Sequence, residues 1–471
     1  MKKYSDKEMA MEIAKKVKEK GGRTFYVGGY VRDKLLGKEN KDIDIEIHEI
    51  TPQELRNVLS ELGTVTEMGA SFGILGLKGY DIDIAQPRSE KGTGRGHRDF
   101  EVYVDPFIGY KQAAIRRDFT MNALMKDVLT GEVLDYFGGI EDLKTGTIKH
   151  VNDKTFVEDP LRVLRACQFA ARFNMNLADE TLELGQTMDL STLPRERIYG
   201  ELQKALLKSN HPSIFFENLR FMNQLNDWFP ELKALTGCEQ SLKWHPEGDV
   251  WNHTMLVLDY AASLRDKAVY PEAFMLAALC HDFGKPEATT NKDGKIQAIG
   301  HECKGIPIAE HFLNRVVHEN DINKYVLNMV ELHMKPNQYA SPTLPHPKKK
   351  STNALFDDSI CPNDLLLLAK ADHFGRGIQK EYSIQEKFLR ERFDWYENNT
   401  KNMPQVTGAD LIELGLKPGP VFKKILNYTH NLWLCNIPKE NALRQAIGEF
   451  YLNKKEADNE NDYDEPELED R

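Results

Sequence analysis

The chain has 471 residues, 41% of them hydrophobic and 29% charged, which is too long for one hydrophobic core and suited to several folded domains. No apolar stretch approaches a membrane span, and Met1 to Glu8 lead into an amphipathic helix instead of a signal peptide, so a cytoplasmic protein with no membrane partner is expected. The net charge of −11 is concentrated in residues 456–471, which hold nine acids and one Arg; the other 455 residues carry only −3, and local basic faces there remain open to polyanions. The six cysteines (167, 238, 280, 303, 361, 435) lack Cys-x-x-Cys pairs, which argues against a disulfide framework and a zinc ribbon.

Phe25 to Val27 read as a short buried strand, and Gly28-Gly29 allow a tight turn into a helix over Tyr30 to Leu36 whose N-terminus suits a phosphate chain. A second strand carries Asp42 and Asp44, whose two-residue spacing predicts both carboxylates on one face, with Ile43 and Ile45 turned into the core. Paired carboxylates are hard oxygen ligands, and Mg²⁺ bound by one or two of them keeps positions for phosphate oxygens. Thr51-Pro52-Gln53-Glu54 is a capping box that starts a helix to about Glu61, and short β-like runs follow at Thr64 to Glu67, Gly73 to Leu77 and Tyr80 to Ala85. Asp81 and Asp83 share a face in the last run, and alternation does not choose between them as a third carboxylate.

Pro87 to Pro106 combines Arg88, Lys91, Arg95, His97 and Arg98 with three glycines and reads as a mobile surface loop. Arg116-Arg117-Asp118 lie inside an apolar run and need charged partners, from a triphosphate and ribose or from the protein itself. Val157 to Ala166 is expected to begin a helix with two acids and Pro in its first turn, placing Asp159, Arg162 and Arg165 on one face. Pro194 to Leu207 reads as helix, and Asn210 to Leu235 as ordinary packed helix.

Gly-Gly-Tyr-Val-Arg-Asp-Lys-Leu-Leu-Gly before Asp-Ile-Asp, then Arg-Arg-Asp-Phe-Thr-Met-Asn-Ala and Glu-Asp-Pro-Leu-Arg, resemble the class II tRNA nucleotidyltransferases, the CCA-adding enzymes, and the related bacterial poly(A) polymerases. The resemblance implies an α+β chain: a polymerase β-like head with a mixed sheet (1–150), an all-α helical neck for base selection and RNA binding (151–243), and further helical regions. It implies tRNA, CTP and ATP as partners, with no obligate protein partner evident. Asp42 and Asp44 become the catalytic Mg²⁺ ligands, Gly28, Gly29, Arg32 and Arg117 the nucleotide site, Asp159 and Arg162 the base readers and Arg165 a phosphate contact. The loop after Pro87 would help the switch from C to A. Many relatives have Arg where this chain has Gln168, which weakens the case for a phosphate contact there.

His253, His281-Asp282 and Asp372 follow the ligand order of HD-superfamily metal phosphohydrolases and imply a divalent transition metal in a domain over 244–375, with His301 and His333 of the right type to line its pocket. Ser383 to Glu397 is helical in character. Val406 to Pro420, with Lys423 and Lys424, resembles the family's C-terminal RNA-contacting segment within 376–455, and 456–471 is an acidic tail too polar to fold. The expected function is template-independent addition or repair of the tRNA CCA end, with a second phosphohydrolase activity on RNA-end phosphates. Alternatives are an A-adding partial enzyme, a poly(A) polymerase, which would carry a basic Gly-Arg-Arg-Phe-like stretch absent here, and an HD phosphohydrolase whose head only binds RNA.

Overall fold

The computed structural model describes residues 4–68, 74–92, 100–377 and 381–452, with side chains left undescribed at 68, 89–92, 100–102 and 451–452. The chain divides into two compact units, Met1–Lys233 and Ala234–Arg471.

In the first unit, α1 (Asp6–Glu19) starts at a Ser5–Glu8 capping box and buries Met9, Ile13 and Val17, the i, i+4 positions of one face. A seven-stranded mixed sheet follows in the order β3-β4-β5-β2-β1-β8-β9. Its strands are β1 (Arg23–Val27), β2 (Ile43–His48), β3 (Val65–Met68), β4 (Ile74–Leu77), β5 (Ile82–Ala85), β8 (Met125–Asp127) and β9 (Val133–Leu134). β1 lies antiparallel between β2 and β8, while β2 and β5 run parallel with Asp44 directly opposite Asp83. Helix α2 (Gly29–Leu35) bridges β1 and β2, and α3 (Pro52–Leu62) has the expected capping box at Thr51 and Glu54.

The stretch after Pro87 departs from a simple loop. Its flanks pair as an antiparallel hairpin, β6 (Arg88–Gly92) with β7 (Phe100–Val104), because Phe100, Val102 and Val104 supply β-forming residues that the glycines between them obscure in the sequence. Arg95, His97 and Arg98 lie outside the described residues, as does the acidic tail.

The rest of the first unit is largely helical. Helix Leu161–Phe173 packs on Arg195–Lys208, and Asn210 to Leu235 is interrupted, with helices Ser213–Phe221 and Pro230–Leu235 separated by a turn where Asn223 adopts a positive φ. The expected helix from Val157 also starts later. A short helix, Asp153–Phe156, precedes it, and the backbone re-forms a helix only at Leu161, after Pro160. Asp159 therefore sits on the entry turn, its Oδ1 accepting the Leu161 N–H (3.2 Å), rather than on the helix face.

The second unit is helical apart from the hairpin Thr290–Lys292 with Lys295–Gln297. Helices Val250–Leu264, Pro271–Cys280, His301–Val316, Asn320–Leu332 and Pro362–Phe374 carry the expected HD residues or adjoin them. Helix Pro271–Cys280 is buried from Ala273 through Cys280 without a polar side, which is why its sequence shows no helical periodicity. Ser383–Trp395 is helical as expected, and Thr407 caps Gly408–Glu413 ahead of Pro420–Leu434, where Lys423 and Lys424 are exposed. All six cysteines are free, and no helix among the described residues is long and apolar enough to cross a membrane.

Candidate active sites

One cavity of about 570 Å³ in the first unit is lined by Gly28, Gly29, Arg32, Asp42, Asp44, Arg117, Asp159, Arg162 and Arg165, so the residues singled out for nucleotide transfer line a common wall. Gly28 has φ +60°, and a Cβ there would lie 3.5 Å from Arg117 Nη1 and 3.7 Å from Asp44 Oδ2. Glycine keeps both groups accessible at a backbone geometry that L-residues avoid.

Asp44 is on β2, but Asp42 lies one residue before the strand, where its N–H donates to Asn40 Oδ1 (2.9 Å). The pair is thus one strand residue and one residue of the preceding turn, because pairing with β1 and β5 begins only at Ile43 or beyond. The parallel register sets Asp83 beside Asp44, while Asp81 precedes β5 and its N–H donates to Asp6 Oδ1 (3.2 Å). Asp83 is consequently the neighbour for a third carboxylate. Burial, then the charges of Asp83 and Asp42, push the Asp44 carboxyl up to about 6 against the pull of Arg117. Asp42 and Asp44 share the cavity, and with Asp83 beside Asp44 they form a hard-oxygen donor set suited to a divalent cation.

The charged run at Arg116 finds protein partners. Arg116 approaches Glu158 (3.7 Å), Arg117 pairs with Glu46 (2.9 Å), and Asp118 Oδ2 accepts from Arg165 Nε (2.8 Å) and Nη2 (2.5 Å). Glu46 had no role in the sequence reading, although alternation puts it on the face of Asp42 and Asp44. Burial opposes its ionisation, but Arg117 and His48 outweigh that and hold it near 2. Arg32 is buried, ion-paired with Asp33 (2.7 Å), donating to Asn122 Oδ1 (2.7 Å) and lying over Phe173. Arg162 donates to the carbonyls of Arg116 (3.0 Å) and Thr155, and Asp159 pairs with Arg197 (3.0 Å). Gln168 is buried and its amide nitrogen has no hydrogen-bond partner, so no exposed donor stands there.

In the second unit His253, His281, Asp282 and Asp372 converge, joined by His301 and His333. His281, His301 and His333 each donate Nδ1–H to the carbonyl three residues earlier, those of Ala278 (2.8 Å), Ala298 (2.8 Å) and Val330 (2.6 Å). Their Nε2 atoms therefore face the centre, those of His301 and His333 3.2 Å apart, and become ligand atoms wherever the ring is neutral. Asp282 lies between two groups: Oδ2 is 3.2 Å from His281 Nε2 and 3.6 Å from His253 Nε2, and Oδ1 is 3.2 Å from His301 Nε2 and 3.8 Å from His333 Nε2. Asp372 Oδ1 is 3.1 Å from His253 Nε2, while its Oδ2 accepts from Asn337 (3.0 Å).

The buried His281 Nε2 lacks a hydrogen-bond partner and Asp282 Oδ2 is met by the Lys285 ammonium (2.6 Å), so an imidazole and a carboxylate are aimed inward at a centre where no protein hydrogen bond satisfies the imidazole. This set fits a divalent metal. Burial together with His281 and His301 lowers His333 to about 3, leaving it neutral as a ligand must be. Burial disfavours charge on Asp282, yet His281 and Lys285 hold it well below the usual carboxylate range.

Glu247, which the sequence did not single out, accepts Nδ1–H from both His245 and His253 (2.8 Å each) and so orients a candidate ligand. Five residues of loop and helix start separate it from His253, and no periodic spacing signals the contact. Lys285, 2.6 Å from Asp282 Oδ2, was likewise visible only as part of the His281 to Pro286 stretch.

A polymerase β-like nucleotidyltransferase head and a six-residue His/Asp centre on a separate helical unit define the class. Family models agree: the poly(A) polymerase head domain matches residues 24–149 and the HD domain 250–377. A multifunctional CCA protein of Actinobacillus pleuropneumoniae serotype 5b is 36% identical over 384 residues, covering 79% of this chain and 89% of the relative. The chain belongs to the family of class II CCA-adding enzymes. A CCA-adding enzyme solved in an apo form matches with TM-score 0.62 at 20% identity over 94% of this chain and 93% of the other. The Thermotoga maritima CCA-adding enzyme complexed with tRNA matches with TM-score 0.59 at 18% identity over 94% and 95%; both share the fold.

Proposed function

We propose that the protein completes or repairs the 3′-terminal CCA of tRNA from CTP and ATP at the head. The observation that carries this reading is the common cavity in which Asp42 and Asp44 meet Arg117 across Gly28, with Asp159 and Arg162 on the same wall. The family relationship, and the solution of a protein of the same fold with tRNA, support it. Asp42 and Asp44, with Asp83 beside them, would hold Mg²⁺, which neutralises charge developing on the transferred α-phosphate. Arg117, held by Glu46, offers a guanidinium to the triphosphate, and the missing side chain at Gly28 lets phosphate approach the backbone. The terminal ribose hydroxyl attacks the α-phosphate and pyrophosphate leaves. Cytosine and adenine both present an exocyclic amine, which Asp159 accepts once it leaves Arg197, while Arg162 supplies donors to the base.

Purified protein given tRNAs lacking one, two or three terminal nucleotides should restore each to CCA with CTP and ATP together, and with one nucleotide alone should add only the residues that nucleotide supplies. Asp42→Ala and Asp44→Ala should abolish incorporation while tRNA binding persists. Substantial incorporation by both variants would sink the assignment.

For the second unit we infer hydrolysis of 2′,3′-cyclic or 2′-phosphates at RNA ends, because imidazole-rich ligands favour a transition metal and its centre opens into a cavity whose wall includes Lys285 and Arg376. His253, His281, Asp282 and Asp372, with His301 and His333, would hold the divalent ion, which supplies Lewis acidity to the phosphate and a more acidic water. Lys285 sits beside Asp282 to balance its charge. Wild-type protein should open 2′,3′-cyclic ends to the monophosphate and release phosphate from 2′-phosphorylated ends with Mn²⁺, Co²⁺ or Ni²⁺, and silence across these metals and Mg²⁺ would make this unit a scaffold.

A further inference from the structure

The cavity above the His/Asp centre has a volume of about 470 Å³, far more than a phosphate needs and within the range of nucleotide-sized ligands. Its wall carries two kinds of group outside the candidate metal ligands. One is Arg376, whose Nε is buried without a hydrogen-bond partner, which makes no ion pair among the described residues, and whose charge acts on the neighbouring Asp372. The other is Trp244, next to His245, a residue 52% exposed although it belongs to the largest aromatic type, with the Lys243 ammonium 5.1 Å from its ring centroid as a further cation beside the ring. An indole left half in water beside a cavity with an unpaired guanidinium matches a ligand with a flat aromatic part and an anionic part. Ile296, Met334 and Leu344 add apolar wall, and Gln297 and Gln338 add amides able to meet base edges or ribose hydroxyls.

We propose that this cavity contains a nucleobase subsite, in which the base of a terminal nucleotide stacks on Trp244 while its phosphate is drawn to Arg376 and the His/Asp centre. Trp244 is then a specificity residue that adds base recognition to that site. The inference deepens the proposed hydrolysis and rests on it for the identity of the phosphate, but stacking is measurable without turnover.

The test uses the full-length chain as wild type, Trp244→Phe and Trp244→Ala, titrated with adenosine 2′-monophosphate and separately with inorganic phosphate. Calorimetry gives affinity, and indole fluorescence reports position 244. The head's own nucleotide site is common to all three proteins, so differences between them belong to the second unit. Base stacking on an aromatic ring predicts that Trp244→Ala weakens nucleotide binding by at least about fivefold, while phosphate binding changes little and Trp244→Phe retains most of the affinity. Ligand-induced quenching seen in wild type should shrink in Trp244→Phe even though binding persists. Arg376→Gln should weaken both ligands. Equal loss of nucleotide and phosphate in Trp244→Ala, or quenching unchanged in Trp244→Phe, would overturn the subsite. Trp244-dependent binding without any hydrolysis by wild type would keep the subsite and remove the hydrolytic reading.

Discussion

At the scale of single residues, Asp44 shows how a site is maintained at a cost to stability. Its folded pKa is raised to about 6 from an ordinary 3.8, so the folded chain holds the proton more tightly than the unfolded chain. Ionising it therefore costs stability above about pH 6, and the cost vanishes as pH falls towards 3.8. Without added divalent cation, Asp44→Asn should raise Tm at pH 7, with the gain shrinking between pH 6 and 4. A thermal denaturation series would show this, and a gain independent of pH would refute it. Glu46 works in the opposite sense: low in pKa and paired with Arg117, it holds that guanidinium near Gly28. Glu46→Gln should raise the KM for CTP and ATP more than it lowers kcat, because it loosens a binding arginine without touching the acids; an effect on kcat alone would contradict this.

At the scale of elements, helix Leu161–Phe173 and the segment before it are joined through Arg162, whose fork reaches the carbonyls of Arg116 and Thr155. A lysine keeps the charge but not two directed donors. Arg162→Lys should cost about 1–3 kcal/mol by leaving a partly buried carbonyl unpaired, measurable by denaturant titration, and should shift the CTP to ATP incorporation ratio. Unchanged stability and selectivity together would remove both roles. In the second unit the equivalent link is Glu247, in the loop ahead of helix Val250–Leu264. Outer carboxylates of this kind usually tune metal affinity, so Glu247→Gln should weaken binding of Mn²⁺ or Ni²⁺ by about 10- to 100-fold. Calorimetric titration against wild type measures that directly, and equal affinities would show that His253 needs no such anchor.

At the scale of the whole molecule, each proposed chemistry lies within one compact unit, and neither set of candidate ligands borrows a residue from the other. His281→Ala combined with Asp282→Ala should abolish phosphohydrolysis while leaving CCA addition to an undamaged tRNA nearly intact. Both assays run on one folded preparation, and parallel loss of both activities would show that the units are energetically coupled.

Local chemistry in the sequence was enough to place the glycine turn before the paired acids, the Thr51 capping box and the strand runs of β1 to β5, because each depends on neighbours within a few residues. The HD ligand order still needed recognition of a pattern spread over more than a hundred positions. Tertiary structure alone decided what depends on pairing across the chain. Parallel register chose Asp83 over Asp81, the Asp118 pair occupied Arg165, and β6 and β7 found each other across a glycine-rich stretch. The same holds for Glu247, which meets two histidines because a loop folds back onto helix Val250–Leu264. Periodicity reports which face of an element is buried, but not which charged group on another element will stand opposite it, and at both sites that opposition sets the charge and the direction of the working side chains.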